Sequence, residues 1–169
     1  MSEPILIIIM GSGSDEAHSR KIAEAASRLG LATELRVASA HKTPGDLVAM
    51  LAAYEADGRP KVYVTVAGRS NALSGFVDGA VDSPVIACPP PSESYGGADL
   101  WSSVRMPSGV APAFVMDAGN AALLAAKILS LAEPSIRPKL ATEKGRRVEE
   151  IRAADQALRG TGPSGSGTR

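Results

Sequence analysis

The amino-acid sequence predicts a doubly wound α/β domain: a parallel five-stranded sheet lying between two layers of helices. Three observations carry this. Five short runs of apolar or β-branched residues alternate with stretches of helical pattern. The first run, Pro4–Met10, is apolar throughout and rich in isoleucine, the pattern of a strand buried on both faces. Each run then stops at a small, polar or proline residue, where a strand would give way to a turn.

In order along the chain, Gly11-Ser12-Gly13-Ser14-Asp15 follows the first strand and leads into a helix from about Glu16 to Leu29, ended by Gly30. Thr33–Ala38 alternates as a second strand, and Pro44–Ala56 is a helix with proline at its first position. Lys61–Ala67, with Val-Tyr-Val-Thr-Val at its centre, is the third strand; Ala72–Val81 is a short helix with glycines. Pro84–Cys88 is the fourth strand, closed by three prolines. A polar loop, Ser92–Gly97, precedes a helix over Ala98–Met106. Ala111–Met116 is the fifth strand, and Gly119–Leu131 is an alanine-rich helix suited to close packing. Right-handed crossovers and the order 2-1-3-4-5, that of flavodoxin-like folds, are the simplest arrangement of these parts.

Residues 1–131 thus form the main domain, followed by a helical extension over 132–158 and a tail over 159–169. Pro134 and Pro138 break the chain before a charged helix, Lys139–Leu158. Its apolar positions Val148, Ile151, Ala154 and Leu158 make one narrow stripe, and such an appended helix packs on its own body or on a neighbouring subunit, the neighbour being the preferred reading. The tail is rich in Gly, Ser and Thr and is expected to be disordered.

Composition excludes several classes. The 18 basic and 18 acidic residues cancel, so nothing favours nucleic acid or a membrane surface. The charge is uneven: residues 1–131 carry 10 basic and 13 acidic side chains, and residues 132–169 carry 8 and 5. No stretch approaches a membrane span, and Ile5–Met10 is too short for a signal-peptide core. Cys88 is the single cysteine, so no intrachain disulfide forms, which suits a reducing cytoplasmic setting. One cysteine and two histidines build no structural zinc site, and no aspartate cluster calls for magnesium.

In a parallel sheet the carboxyl ends of all strands share one edge, and ligands bind in the crevice there. The turns at that edge are Gly11–Asp15, Ser39–Lys42, Gly68–Asn71, Pro89–Ser94 and Asp117–Asn120. The first three are neighbours in the predicted order. Gly11–Asp15 offers close backbone approach, the hydroxyls of Ser12 and Ser14 and helix-end amides, all suited to an anion. It lacks the Gly-Lys-Ser/Thr ending of a Walker loop, and Glu16 spoils a dinucleotide fingerprint. The same segment also reads as a plain capped helix start, with Ser14 or Asp15 as the cap. Asp15 suits ribose hydroxyls. Ser39-Ala40-His41-Lys42 sets an imidazole, which exchanges a proton near neutral pH, beside a point charge for phosphate or carboxylate. Gly68, Arg69, Ser70 and Asn71 add a guanidinium, a hydroxyl, an amide and more backbone donors. His18 reads as structural or solvent-facing, Cys88 as a small core residue, Tyr95 and Trp101 as packing or cover, and Asn120 as a helix cap.

Taken together, Met10-Gly-Ser-Gly-Ser-Asp15, Ser39-Ala-His-Lys42 and the helix beginning Asn120-Ala-Ala-Leu-Leu resemble the phosphoribosylaminoimidazole carboxylase family of purine biosynthesis, over about Ile5 to Leu131. That family has a mutase branch, which moves a carboxylate from nitrogen to carbon, and a branch that adds carbon dioxide directly to carbon 4 of aminoimidazole ribonucleotide. The mutase branch typically has Ser-Ala-His-Arg and a Gly-Gly-Ala-Ala-His-Leu turn. Here Lys42 replaces the arginine and Gly68-Arg69-Ser70-Asn71-Ala72-Leu73 replaces the turn. Cys88-Pro89-Pro90 and Trp101-Ser-Ser-Val-Arg-Met-Pro-Ser-Gly109 are also similar to the direct-carboxylase branch. The resemblance implies a cofactor-independent carboxylase that forms homo-octamers. In it His41 handles the carbon 4 proton, and Ser12, Ser14 and Lys42 hold the 5′-phosphate. Asp15 holds the ribose, Ser39 orients ligand or imidazole, and Gly68, Arg69, Ser70 and Asn71 hold carbon dioxide or the new carboxylate. The mutase, a non-catalytic flavodoxin-like binder of FMN or another phosphate ligand, and a scaffold whose oligomer is its function are the competing readings.

Overall fold

The computed structural model describes residues 3–160. Its sheet runs β2-β1-β3-β4-β5, all parallel, as expected. The strands are β1 (Ile5–Met10), β2 (Ala32–Val37), β3 (Lys61–Val66), β4 (Val85–Ala87) and β5 (Ala113–Phe114). The helices are α1 (Glu16–Arg28), α2 (Pro44–Ala56), α3 (Leu73–Asp78), α4 (Trp101–Val104), α5 (Ala118–Ala132) and α6 (Arg137–Gly160).

Every residue of β1 and β3 is buried because both strands are central and covered on both faces; β1 is apolar throughout, and β3 is apolar except for Lys61 and Thr65. Alternate residues serve opposite layers. Leu6, Ile8 and Met10 of β1 join Val62, Val64 and Val66 of β3 beneath α1 and α5. Ile5, Ile7 and Ile9 join Tyr63 beneath α2 and α3, against Leu47, Leu51, Leu73 and Val77. The small side chains do what their abundance foretold: Ala25 and Ala26 of α1 and Ala121, Ala122 and Ala125 of α5 are all buried in one cluster, which lets the two helices lie close. Gly30 ends α1 in the left-handed region (φ 75°), with its amide on the Ser27 carbonyl.

Several boundaries depart from expectation. The fifth strand shrinks to two residues because Pro112 lacks the N–H a longer ladder would use; β5 is an edge strand, where proline is tolerated. The helix expected over Ala98–Met106 is instead a 3-10 segment, Ser94–Leu100, running into the short α4. Tyr95, Gly96 and Gly97 inside it take successive left-handed conformations, φ 52°, 61° and 78°. Pro134 opens a 3-10 turn rather than only interrupting the chain, and Pro138 sits in the first turn of α6, where no intrahelical donor is lost. Arg159 and Gly160, placed in the tail by expectation, close α6 instead; residues 161–169, the rest of that expected tail, lie outside the described residues.

Leu140 anchors the start of α6 against the main core. Beyond it the helix leaves its own body: Val148 and Ile151 of the apolar stripe are solvent-exposed. The exposed side chains of α6 tie along the helix itself, as in the Arg146–Glu143 and Arg147–Glu143 pairs. Among the described residues no helix is long and apolar enough to cross a membrane.

Candidate active site

Three turns at the carboxyl edge build the site. The first is fixed by Gly11, whose amide donates to the Val66 carbonyl at 2.9 Å. A Cβ there would lie 3.3 Å from the Ala67 Cβ, so glycine lets the β1 and β3 turns approach. Ser12 caps a 3-10 turn over Gly13–Asp15: its hydroxyl accepts from the Ser14 amide at 3.2 Å and bonds the Ser14 hydroxyl at 2.9 Å. Ser12 thus caps the 3-10 turn, while Asp15, one of the two caps expected, holds the N-cap position of α1. Asp15 occupies the position before α1 with no side-chain cap bond, which leaves its carboxylate available to the cleft.

The second turn is closed by Ser39 and Thr43. The Ser39 amide donates to Thr43 Oγ1 at 3.0 Å, the Thr43 amide to the Ser39 carbonyl at 2.9 Å, and the Lys42 amide to Ser39 Oγ at 3.3 Å. Ser39 thus shapes the turn, and His41 and Lys42 stand exposed at its apex. The Ala38 amide on the Met10 carbonyl, 3.0 Å, locks this turn beside the first.

The third turn carries a non-glycine residue in the left-handed region, Arg69 at φ 56°. Its Asn71 does not face the cleft. The side chain is buried, donating to Ser74 Oγ at 2.6 Å and Ser103 Oγ at 2.9 Å while accepting from the Ser74 amide at 3.2 Å. Asn71 shapes the loop from behind, a placement that sequence alone does not reveal.

One cleft of about 560 Å³ joins the three turns. Ser12, Ser14, Asp15, Ser39, His41, Lys42, Gly68, Arg69 and Ser70 all line it, and of the residues singled out beforehand only Asn71 is absent. Burial pushes the Asp15 carboxyl up from its ordinary range, while a backbone hydrogen bond at Ser12 and the Arg69 guanidinium pull it back. Cationic, hydroxyl and amide donors thus share the cleft with one carboxylate and one imidazole. That set can bind an anionic small molecule and move a proton. Among the described residues no group of three His, Cys, Asp or Glu could hold a metal ion.

The remaining two turns do other work. Pro89, Pro90 and Ser92 border a smaller cavity that meets the cleft only at Gly68. Asp117, not Asn120, caps α5, accepting from the Asn120 amide at 2.8 Å. The half-buried His18 and the buried Cys88 meet, Nε2 to Sγ at 3.4 Å. Tyr95 and Trp101 are both exposed. Sequence reasoning missed Asp99, Ser102 and Ser103, which contact the third turn from α4 and the segment before it. Their signal was the Trp-Ser-Ser run, legible as a motif but silent about its partners.

Fold and cleft together describe a doubly wound protein with one small-molecule site at the carboxyl edge of its sheet. The family model described as AIR carboxylase matches residues 5–150, and the chain belongs to that family. It is 51% identical over 156 residues to the phosphoribosylaminoimidazole carboxylase of Treponema denticola, covering 92% of this chain and 98% of that one. It is 50% identical over 153 residues to the protein of the same name from Archaeoglobus fulgidus, covering 90% and 84%. The crystal structure of Treponema denticola PurE superposes with a TM-score of 0.90 at 51% identity, covering 92% of this chain and 99% of that one.

Proposed function

We propose that this protein carboxylates aminoimidazole ribonucleotide directly at carbon 4 with carbon dioxide, reversibly, as a step of purine biosynthesis. The observation that carries the reading is the meeting of His41, Lys42 and the Gly68–Ser70 backbone in one cleft with the Ser12–Asp15 turn. Lys42 in Ser-Ala-His-Lys and the Gly-Arg-Ser-Asn turn support the direct carboxylase over the mutase.

The aminoimidazole ring is an electron-rich enamine. It attacks carbon dioxide to form the carbon–carbon bond, and the proton on carbon 4 then leaves to restore the aromatic ring. The protein's part is to position the two reactants, exclude water and take that proton. His41 takes it, and returns it in the reverse decarboxylation. Ser12, Ser14 and Lys42 hold the 5′-phosphate with the amides of the first turn. Asp15, held by Ser12 and facing Arg69, accepts from the ribose hydroxyls. Gly68, Arg69 and Ser70 hold carbon dioxide and the nascent carboxylate. Asn71 and Ser39 contribute by shaping their turns. ATP, biotin and metal have no part in this scheme.

The homo-octamer that the family resemblance implies, and the cytoplasmic location that a single cysteine suits, belong to the same proposal. The exposed Val148 and Ile151 support an assembly in which α6 reaches a neighbour, and sedimentation at equilibrium tests it. The deciding experiment for the activity is incubation with aminoimidazole ribonucleotide and bicarbonate without ATP. Carboxylated product above the uncatalysed rate is expected. Turnover of the N-carboxylated nucleotide alone would establish the mutase instead, and a purified protein that carries bound flavin and turns over neither nucleotide would establish the flavodoxin-like binder.

A further inference from the structure

Resting on the carboxylation reading above, we propose that Ser102, helped by Asp99, is a positioning residue that clamps the Gly68–Asn71 turn so that its open amides face carbon dioxide. Ser102 Oγ accepts from the Asn71 amide at 2.9 Å. Its single proton is directed at the Arg69 carbonyl, 3.0 Å, or the Asp99 carbonyl, 2.6 Å. The Asp99 carboxylate in turn accepts from the Arg69 amide at 3.3 Å. One hydroxyl therefore holds the Ser70–Asn71 peptide through its N–H and lies within reach of the Arg69 carbonyl, and a carboxylate holds the peptide before them.

The consequence is a sorting of donors. Within the turn, the Arg69 and Asn71 amides are taken by Asp99 and Ser102, and the Ala72 amide by the Ser70 carbonyl. The Gly68 and Ser70 amides donate to no other group among the described residues, and both residues line the cleft. These two are the donors left for a bound carboxylate or a polarised carbon dioxide.

The turn needs to be held. Arg69 sits at φ 56°, a left-handed conformation that is unfavourable for a residue with a Cβ. Such geometry persists only where neighbours over-determine it. Here the neighbours are Ser102 and Asp99 on one side and the buried Asn71–Ser103–Ser74 cluster on the other. Carbon dioxide has no charge and few atoms, so the site depends on donor placement more than on attraction. A displacement of about 1 Å in the donors is enough to cost a large factor in rate.

The test compares S102A and S102T with wild type in the ATP-free assay at varied carbon dioxide, alongside calorimetric binding of aminoimidazole ribonucleotide alone. S102A is expected to lose at least ~10-fold in kcat/KM for carbon dioxide while nucleotide binding stays within ~3-fold, and S102T, which keeps the hydroxyl, is expected to recover most of the loss. Two results overturn the clamp: S102A carboxylating within ~2-fold of wild type, or S102A losing nucleotide binding and carboxylation in equal measure. Should S102A not fold, D99A, which removes only the acceptor of the Arg69 amide, is read by the same criteria. A wild type that fails to carboxylate without ATP overturns the carboxylation reading itself, whereas an active wild type with an unaffected S102A overturns the clamp alone.

Discussion

Arg69 and Asp15 face each other across the cleft, brought there from the ends of β3 and β1, and the guanidinium draws down a carboxyl that burial drives up. Burial is the larger influence, so the carboxyl ends above its ordinary value. A raised carboxyl favours the folded state at acid pH, and that advantage disappears as pH rises through the folded value. Asp15→Asn is therefore expected to be slightly more stable than wild type at pH 7 and equal to it below about pH 4, by urea unfolding at both pH values. The same variant should bind nucleotide more weakly, through the lost acceptor for ribose.

His41→Asn is expected to lower turnover at least ~100-fold with folding and assembly unchanged. Circular dichroism and sedimentation check the second part, the ATP-free assay the first. Retention of activity within ~3-fold removes the imidazole from the proton transfer.

Lys42→Ala tests a different kind of contact. A phosphate is held equally in ground and transition states, so its loss should raise the nucleotide KM by ~10–100-fold and leave kcat within a few-fold. A fall in kcat at unchanged KM would place Lys42 at the reacting carbon instead.

Position 69 separates backbone strain from side-chain chemistry. Arg69→Gly relieves the left-handed conformation, whereas Arg69→Ala keeps it. The glycine variant should be the more stable of the two by about 1 kcal/mol. Both lack the guanidinium and should show equally weakened carboxylation. Thermal unfolding and steady-state kinetics on the pair give the two readings.

Cys88 and His18 test the interior. Burial, with the Asp117 carboxylate adding to it, pushes the Cys88 thiol up to about 12. The native protein at pH 8 should therefore leave this thiol unmodified by a disulfide reagent that titrates it fully in denaturant. Burial, aided by Lys21 and opposed by Asp117, holds the His18 imidazole below its ordinary 6.5. A depressed imidazole binds its proton more readily in the unfolded chain, so wild type loses stability as pH falls below about 6.5. His18→Gln should lose less between pH 7.5 and 5.5, read from urea midpoints.

The residues that told most in advance were those whose chemistry is local. β1 and β3 were legible because a strand covered on both faces runs to apolar and β-branched residues, with Lys61 and Thr65 the polar members of β3. Pro44 marked the start of α2 because its missing N–H is harmless only there. The three turns were legible as a site because parallel strands put their carboxyl ends on one edge, so topology converted spacing into proximity. What escaped were features set by partners distant in the chain. Asn71 looked like a ligand group, yet its fate depends on Ser103, 32 residues away. The helix expected over Ala98–Met106 gave way to a left-handed Tyr95-Gly96-Gly97 run and a 3-10 segment, a conformation that two glycines permit but do not demand.

The order of apolar runs and breaks therefore determined the sheet, its layers and the edge where ligands bind, since each depends on burial periodicity and on the handedness of the chain. Only the tertiary structure decided which donors stay open in the cleft. Whether an amide or a carboxamide is free depends on what lies within about 3 Å of it, and those neighbours, Asp99, Ser102 and Ser103, come from a segment that reaches the site only after the chain has folded.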